Sequence, residues 1–216
     1  MAKPTMRSLI QTLTLLGAAA LSLSLNAMGA SRPVTPTRAA PELAQSYVWY
    51  DGDREQKVWL NPQVVAEFNP GKQSDTTARS VDANAKMLDM KRKQAGVRLW
   101  QMSSNTTGVA TRALKAGNPD GKYSPVFHDG PSSAASMRAL PGNIIITLDP
   151  AWDAATVAAW LQKRNMEVVK KLEIGANIYV IKTGPGLEAL EAANTLYQSG
   201  EVKAAYPDWW QEVQAK

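Results

Sequence analysis

The chain carries one histidine, His128, and no cysteine. Acyl transfer of the serine-protease kind needs a histidine base held between an acid and a nucleophile. His128, in the run Phe127-His128-Asp129-Gly130, is the one residue on which such a triad could turn. Asp129 and Gly130 are turn formers, so the expected setting of His128 is a turn rather than a catalytic site. One histidine among scattered carboxylates makes no recognisable metal-ligand spacing. Gly184-Pro185-Gly186 lacks the lysine and following hydroxyl that a phosphate loop requires. Lys91-Arg92-Lys93 is an isolated cluster without the interleaved aromatics of a nucleic-acid stripe, and reads as the solvated end of a helix. No catalytic residue, no metal and no cofactor is therefore expected, and the chemistry left to the chain is that of binding.

The elements that would position a binding surface are clearest after residue 142. Asn143 to Pro150 is β-branched and apolar and is stopped by a proline, as a buried strand should be. Asp153 can cap a helix with an inward stripe of Val157, Trp160 and Leu161, with Lys163 and Arg164 in its last turn, ending near Asn165. Glu167 to Leu172 and Asn177 to Thr183 read as two strands of a hairpin turning at Gly175 and Ala176, with Ile178 and Val180 on one face. Gly184 to Gly186 breaks the chain before a second helix striped by Leu187, Leu190, Asn194 and Tyr197, with Gly200 as its stop. Val202 to Tyr206 closes the unit. The order strand, helix, strand, strand, helix, strand predicts a ferredoxin-like four-stranded antiparallel sheet over residues 143–207 with both helices on one face, inside an α+β chain.

These residues also carry a family likeness. Leu140-Pro141-Gly142-Asn143, the strand Asn177 to Thr183, the helix Gly186 to Gly200 and the closing run Val202 to Trp209 with its Pro207-Asp208-aromatic step resemble the propeptides of subtilisin-like serine proteases. Tyr47 to Phe68 and Tyr123 to Gly130 are similar to the longer pro-regions of some bacterial members. In that family the propeptide sheet packs on the protease and the C-terminal tail lies extended in the substrate cleft. The resemblance implies inhibition or assisted folding of such a protease. It also implies a tail over residues 208–216, with Val213, Gln214, Ala215 and Lys216 in the cleft and partner contacts at Tyr206, Asp208, Trp209 and Trp210. One departure is Tyr206, where family members carry an acidic residue. The chain also stops where a protease domain would begin, so action in trans is expected.

At the other end, Lys3 and Arg7 precede an apolar run from Leu9 to Leu25 and small residues suited to cleavage after Gly29 or Ala30, the pattern of a secretory signal. A membrane anchor is the alternative reading, against which Gln11, Thr12 and Thr14 interrupt the run. Export to the periplasm or beyond is expected, with no stable membrane insertion after cleavage, and without disulfides core burial must carry the stability.

A disordered leader over residues 31–45, an α+β domain over 46–130 and a linker over 131–142 complete the expected organisation. In the first domain, Tyr47 to Tyr50 and Lys57 to Leu60 form a hairpin signal around Asp51-Gly52-Asp53, with Trp49 and Trp59 as a cross-strand pair and Val64 to Phe68 as a third strand. Gly71 to Arg79 reads as a polar loop, Val81 to Ala95 as a helix, Val109 to Lys115 as a short helix and Tyr123 to Phe127 as a strand. Residues 31–142 hold 15 basic and 10 acidic residues (net +5) and residues 143–216 hold 7 and 9 (net −2), so the basicity belongs to the first half.

Trp209 and Trp210 are adjacent in an extended segment and must face opposite ways. Either one anchors the tail while the other meets a partner, or both cap the local core. Three functions fit: a protease inhibitor or folding chaperone, a cell-envelope interaction module, or the pro-region of an interrupted protease gene.

Overall fold

The computed structural model describes residues 43–90, 94–103 and 106–212; the expected signal, nearly all of the leader, Lys91-Arg92-Lys93 and Val213 to Lys216 lie outside the described residues. In chain order the elements are β1 (Ser46–Asp51), β2 (Arg54–Phe68), α1 (Ser74–Val81), β3 (Lys86–Leu88), β4 (Val97–Gln101), α2 (Thr107–Gly117), β5 (Lys122–His128), β6 (Met137–Ala139), β7 (Asn143–Thr147), α3 (Ala154–Lys163), β8 (Val168–Leu172), β9 (Ile178–Lys182), α4 (Leu187–Gln198), β10 (Ala204–Pro207) and β11 (Trp210–Gln211). The chain is α+β with two antiparallel sheets. The seven-stranded sheet runs β11-β6-β5-β2-β4-β3, with β1 also paired to β2, and the four-stranded sheet runs β10-β7-β9-β8.

The four-stranded sheet follows from strict alternation. Ile144, Ile146 and Leu148 are buried and share one cluster with Val157 and Leu161 of α3 and Ala189, Leu190, Ala193 and Leu196 of α4. Each of the isoleucine, leucine and valine side chains contributes about 1.5–3 kcal/mol on full burial. Asp153 caps α3 by accepting from the Thr156 amide at 2.8 Å. That backbone bond holds its carboxyl below the usual 3.8. Asn165 at φ 52 and Gly200 at φ 71 take the left-handed conformation just past the ends of α3 and α4, which releases the chain from the helix. The stripe expected on α4 is displaced. Ala189, Ala193 and Leu196 face the sheet, whereas Asn194 donates to Val48 O at 2.8 Å and Tyr197 stacks on Tyr50 at 4.3 Å. The helix is covered on two sides, by its sheet and by β1, and the polar-tipped side belongs to β1.

Residues 46–139 depart further from expectation. Val64 to Phe68 is not a separate strand but the second half of β2, whose pairing with β5 shifts register between Leu60 and Val65. Pro62 sits at that irregularity, where a missing amide donor is tolerated. Trp49 pairs with Gln56 and Trp59 with Ser46, because the turn leaves only Gly52 and Asp53 between Asp51 and Arg54. Pairing across a strand keeps partners on one face, so the two tryptophans point to opposite faces.

The polar stretch from Gly71 to Arg79 contains α1 rather than a loop, and the helix expected over Val81 to Ala95 is absent at Lys86–Leu88, which is strand β3 beside β4. Asp82 ends α1 by accepting from the Asn84 and Ser103 amides, a local competition that favours turns over helix. His128 is not in a turn. It ends strand β5, is 1% exposed, and pairs with Trp59 and Met137.

Residues 131–142 hold β6 as well as connecting backbone. The main core cluster joins Trp49, Val58 and Phe127 to Ile146, Leu190 and Ala205, so hydrophobic packing runs across residue 142.

Candidate functional site

Two features of the second sheet and its exit stand out. The first is the face opposite the helices. By register Tyr206 lies beside Ile145, Ile145 beside Val180 and Thr147 beside Ile178, so these residues share the face that α3 and α4 leave open. Leu172 and Lys170 continue it across β8, and Lys182 lies at its border. Ile145, Ile178, Leu172 and Tyr206 are half-buried, Val180 is buried in the middle, and the lysines are exposed. The result is an apolar strip with basic groups toward β8. At the β10 end the charge is acidic: burial, and then the carboxylates of Asp51 and Asp208, hold the Tyr206 phenol above its ordinary 10.0.

The second feature is the segment after β10. The tail expected to leave the fold at Asp208 stays in it through Glu212. The Asp208 amide donates to Asn143 O at 3.1 Å, β11 pairs with β6, and the Glu212 amide donates to Met137 O at 3.0 Å. Trp209 and Trp210 face opposite ways, as adjacent extended residues must. The Trp209 ring meets Trp49 and Phe127, each at 5.7 Å, and Trp210 meets Phe68 at 6.4 Å. Arg138 organises the join. Its guanidinium lies 5.6 Å from the Trp49 ring and 5.8 Å from the Trp209 ring, pairs with Asp129, and, with the Gln211 amide turned so that its oxygen faces the donors, donates to that oxygen at 2.7 Å.

Of the residues singled out in the sequence, the structure thus gathers Tyr206, Asp208, Trp209 and Trp210 at one corner. Val213, Gln214, Ala215 and Lys216 lie outside the described residues. Trp160, expected in the core, is half-buried, with Arg164 stacked over it at 4.2 Å. His128 has both ring nitrogens engaged, Nδ1 with Ala135 O at 2.9 Å and Nε2 with the Asn61 amide at 3.1 Å. The tautomer protonated on Nδ1 satisfies both contacts, which are those of a packed structural side chain.

Sequence reasoning missed Arg138 and a buried carboxylate, Glu67, which accepts from the Ser74 hydroxyl and from Trp100 Nε1 at 2.9 Å. Burial, and after it the Glu67 charge, raise the neighbouring Tyr123 phenol, against a bond from Asn118 that lowers it. The Ser74 hydroxyl and the Trp100 indole converge on one carboxylate, which serves as their shared acceptor. The signal was legible as a lone acid in the apolar run Val64-Val65-Ala66-Glu67-Phe68.

No family model, curated protein or solved structure matches the chain. Among the described residues no helix is long and apolar enough to cross a membrane.

Proposed function

We propose that the chain is an exported, non-catalytic, propeptide-like protein that binds a subtilisin-like serine protease in trans, as inhibitor, folding chaperone or both. On this reading residues 143–207 are a ferredoxin-like unit, the open face is laid on the protease, and Val213 to Lys216 enter the substrate cleft. One observation carries the reading: among the described residues no helix packs on the apolar strip of Ile145, Ile178, Val180 and Leu172, since α3 and α4 pack on the opposite face, and the strip belongs to the same sheet that β10 leaves toward the C-terminus. A folded sheet that holds a short tail in place lowers the ordering cost a free peptide would meet on binding. The signal-like N-terminus supports export to the periplasm or the medium.

A second reading, a cell-envelope interaction module using the same face, is favoured by the docking of Trp210 and Gln211 on β6, which commits part of the tail to its own fold.

Introducing charge on the open face tests the first reading. Ile145→Glu with Ile178→Glu should weaken inhibition of a subtilisin about 30-fold or more, the scale of a lost interface anchor. Both side chains lie on the face away from the helices, so the thermal midpoint should fall by only a few degrees. Inhibition equal to that of the parent chain would remove this face from the interface.

A further inference from the structure

Resting on the protease reading, we infer that Trp209 to Glu212 form a releasable strap: docked on β6 in the free chain, peeled away when the partner engages. Its backbone attachment is short: Trp210 pairs with Ala139, Gln211 with Arg138, and the Glu212 amide donates to Met137 O. A two-residue edge strand is the kind of element that opens well below the global unfolding transition.

The attachment is also polar-frustrated. Four buried side-chain polar atoms among the described residues have no hydrogen-bond partner: Trp49 Nε1, Trp209 Nε1, Gln94 Oε1 and Asn194 Oδ1. Three of these sit on residues that hold the strap. Trp209 belongs to it, Trp49 packs against Trp209, and the other end of the Gln94 amide donates to Gln211 O at 3.2 Å. In the docked state two indole donors and an amide acceptor are buried without a partner, and release of the strap would let the Trp209 indole recover a hydrogen bond to solvent or to a partner. Elsewhere the same count favours staying folded: Asn177, for example, is buried with its amide shared between Asp149 O and Trp152 O.

One side chain acts as the clasp. Arg138 lies over both Trp49 and Trp209 while bound to Asp129 and Gln211. Asp208, bonded to Asn143, is the hinge that stays behind. Opening from that hinge frees four residues, which add roughly 13 Å of extended reach at about 3.3–3.6 Å each. It also frees Trp209 and Trp210, side chains of the type that dominates binding hot spots. Tryptophans held in this way are kept from unintended partners until a cleft competes for them.

A reversible lock tests the strap. The chain has no cysteine, and Ala139 and Trp210 are direct cross-strand partners within one cluster, a geometry within the Cα span of a disulfide. The variant Ala139→Cys with Trp210→Cys should inhibit a subtilisin at least 30-fold more weakly when oxidised than when reduced, a comparison within one chain that cancels the loss of the Trp210 side chain itself. Equal inhibition by the two forms would overturn the strap and leave the protease reading intact. A parent chain that does not inhibit would remove both.

Because the variant also loses the contact between Trp210 and Phe68, hydrogen exchange on the unaltered chain supplies a second measurement. The amide of Glu212, which donates to Met137 O in the free chain, should exchange at least tenfold faster in the protease complex than in the free chain if the strap opens. Protection retained in the complex would overturn the proposal.

Discussion

Replacing Glu67 with leucine should lower stability by about 2–5 kcal/mol, although it puts an apolar side chain into a site only 2% exposed. The carboxylate is the acceptor for the Ser74 hydroxyl and the Trp100 indole. Leucine leaves both donors buried without a partner, at about 1–3 kcal/mol each. The Glu67→Gln variant keeps one acceptor oxygen and should lose about half as much. If the loss comes from orphaned donors rather than from shape, removing the hydroxyl donor with Ser74→Ala should recover part of the stability of the leucine variant, since a buried donor left without an acceptor is then no longer present, whereas Trp100→Phe removes the indole donor but adds the cost of a cavity. Urea midpoints at constant slope would measure all four chains. A leucine variant within about 0.5 kcal/mol of the parent would show that Glu67 does not organise this corner.

Gly142→Ala should cost about 3 kcal/mol, through backbone rather than side chains. Gly142 has φ of +107, and a Cβ there would lie 2.9 Å from Thr183 O and 3.1 Å from Pro185 N. Neither atom can move freely, because the Thr183 amide donates to Gly142 O at 3.0 Å and the next residues lead into α4. Strain at such a φ alone is worth about 1–3 kcal/mol, and the clash adds to it. Gly142 sits where β6 of one sheet hands the chain to β7 of the other, so both sheets should lose protection together. Gly71, whose added Cβ meets nothing within 4 Å, supplies the comparison: its alanine variant should be close to neutral. Calorimetry on the two variants separates a local steric demand from a general intolerance of alanine.

The contrast between these two sites explains what could be read in advance. After residue 142 each apolar run is fenced by a residue with a mechanical reason to be there. Asp153 caps α3, Gly184 to Gly186 break before α4, and Gly200 ends it. Short-range pattern and long-range packing agree, so the order of elements was legible. Before residue 142 they conflict. α1 buries only one apolar residue, Ala78, alongside Ser74, so nothing in Gly71 to Arg79 announces a helix. The apolar spacing from Val81 to Leu88 imitates one, yet Met87 is placed opposite Trp100 in a sheet. The two-residue turn at Gly52 and Asp53 puts Gln56 opposite Trp49, three residues short of Trp59, and that odd offset carries Trp59 to the other face.

Of the candidate site, the residues were legible and their arrangement was not. Tyr206, Asp208, Trp209 and Trp210 were singled out as aromatic and acidic groups following a strand. Arg138, lying in a stretch that reads as a linker, gave no sign that it would close over two of the tryptophans, because they come from β1 and from the link between β10 and β11. The open face was implicit in the alternation of β7 and β9. Recognising it as uncovered required knowing that α3 and α4 pack on the same side.

The most direct test of the central claim is the residual activity of a subtilisin titrated with the chain from Ser31 to Lys216, beside a version ending at Glu212. The account predicts saturable inhibition by the longer chain and a loss of at least 30-fold in potency for the shorter one, with both showing the same unfolding midpoint. Full protease activity at tens of micromolar of the longer chain, or equal inhibition by the two, would contradict it.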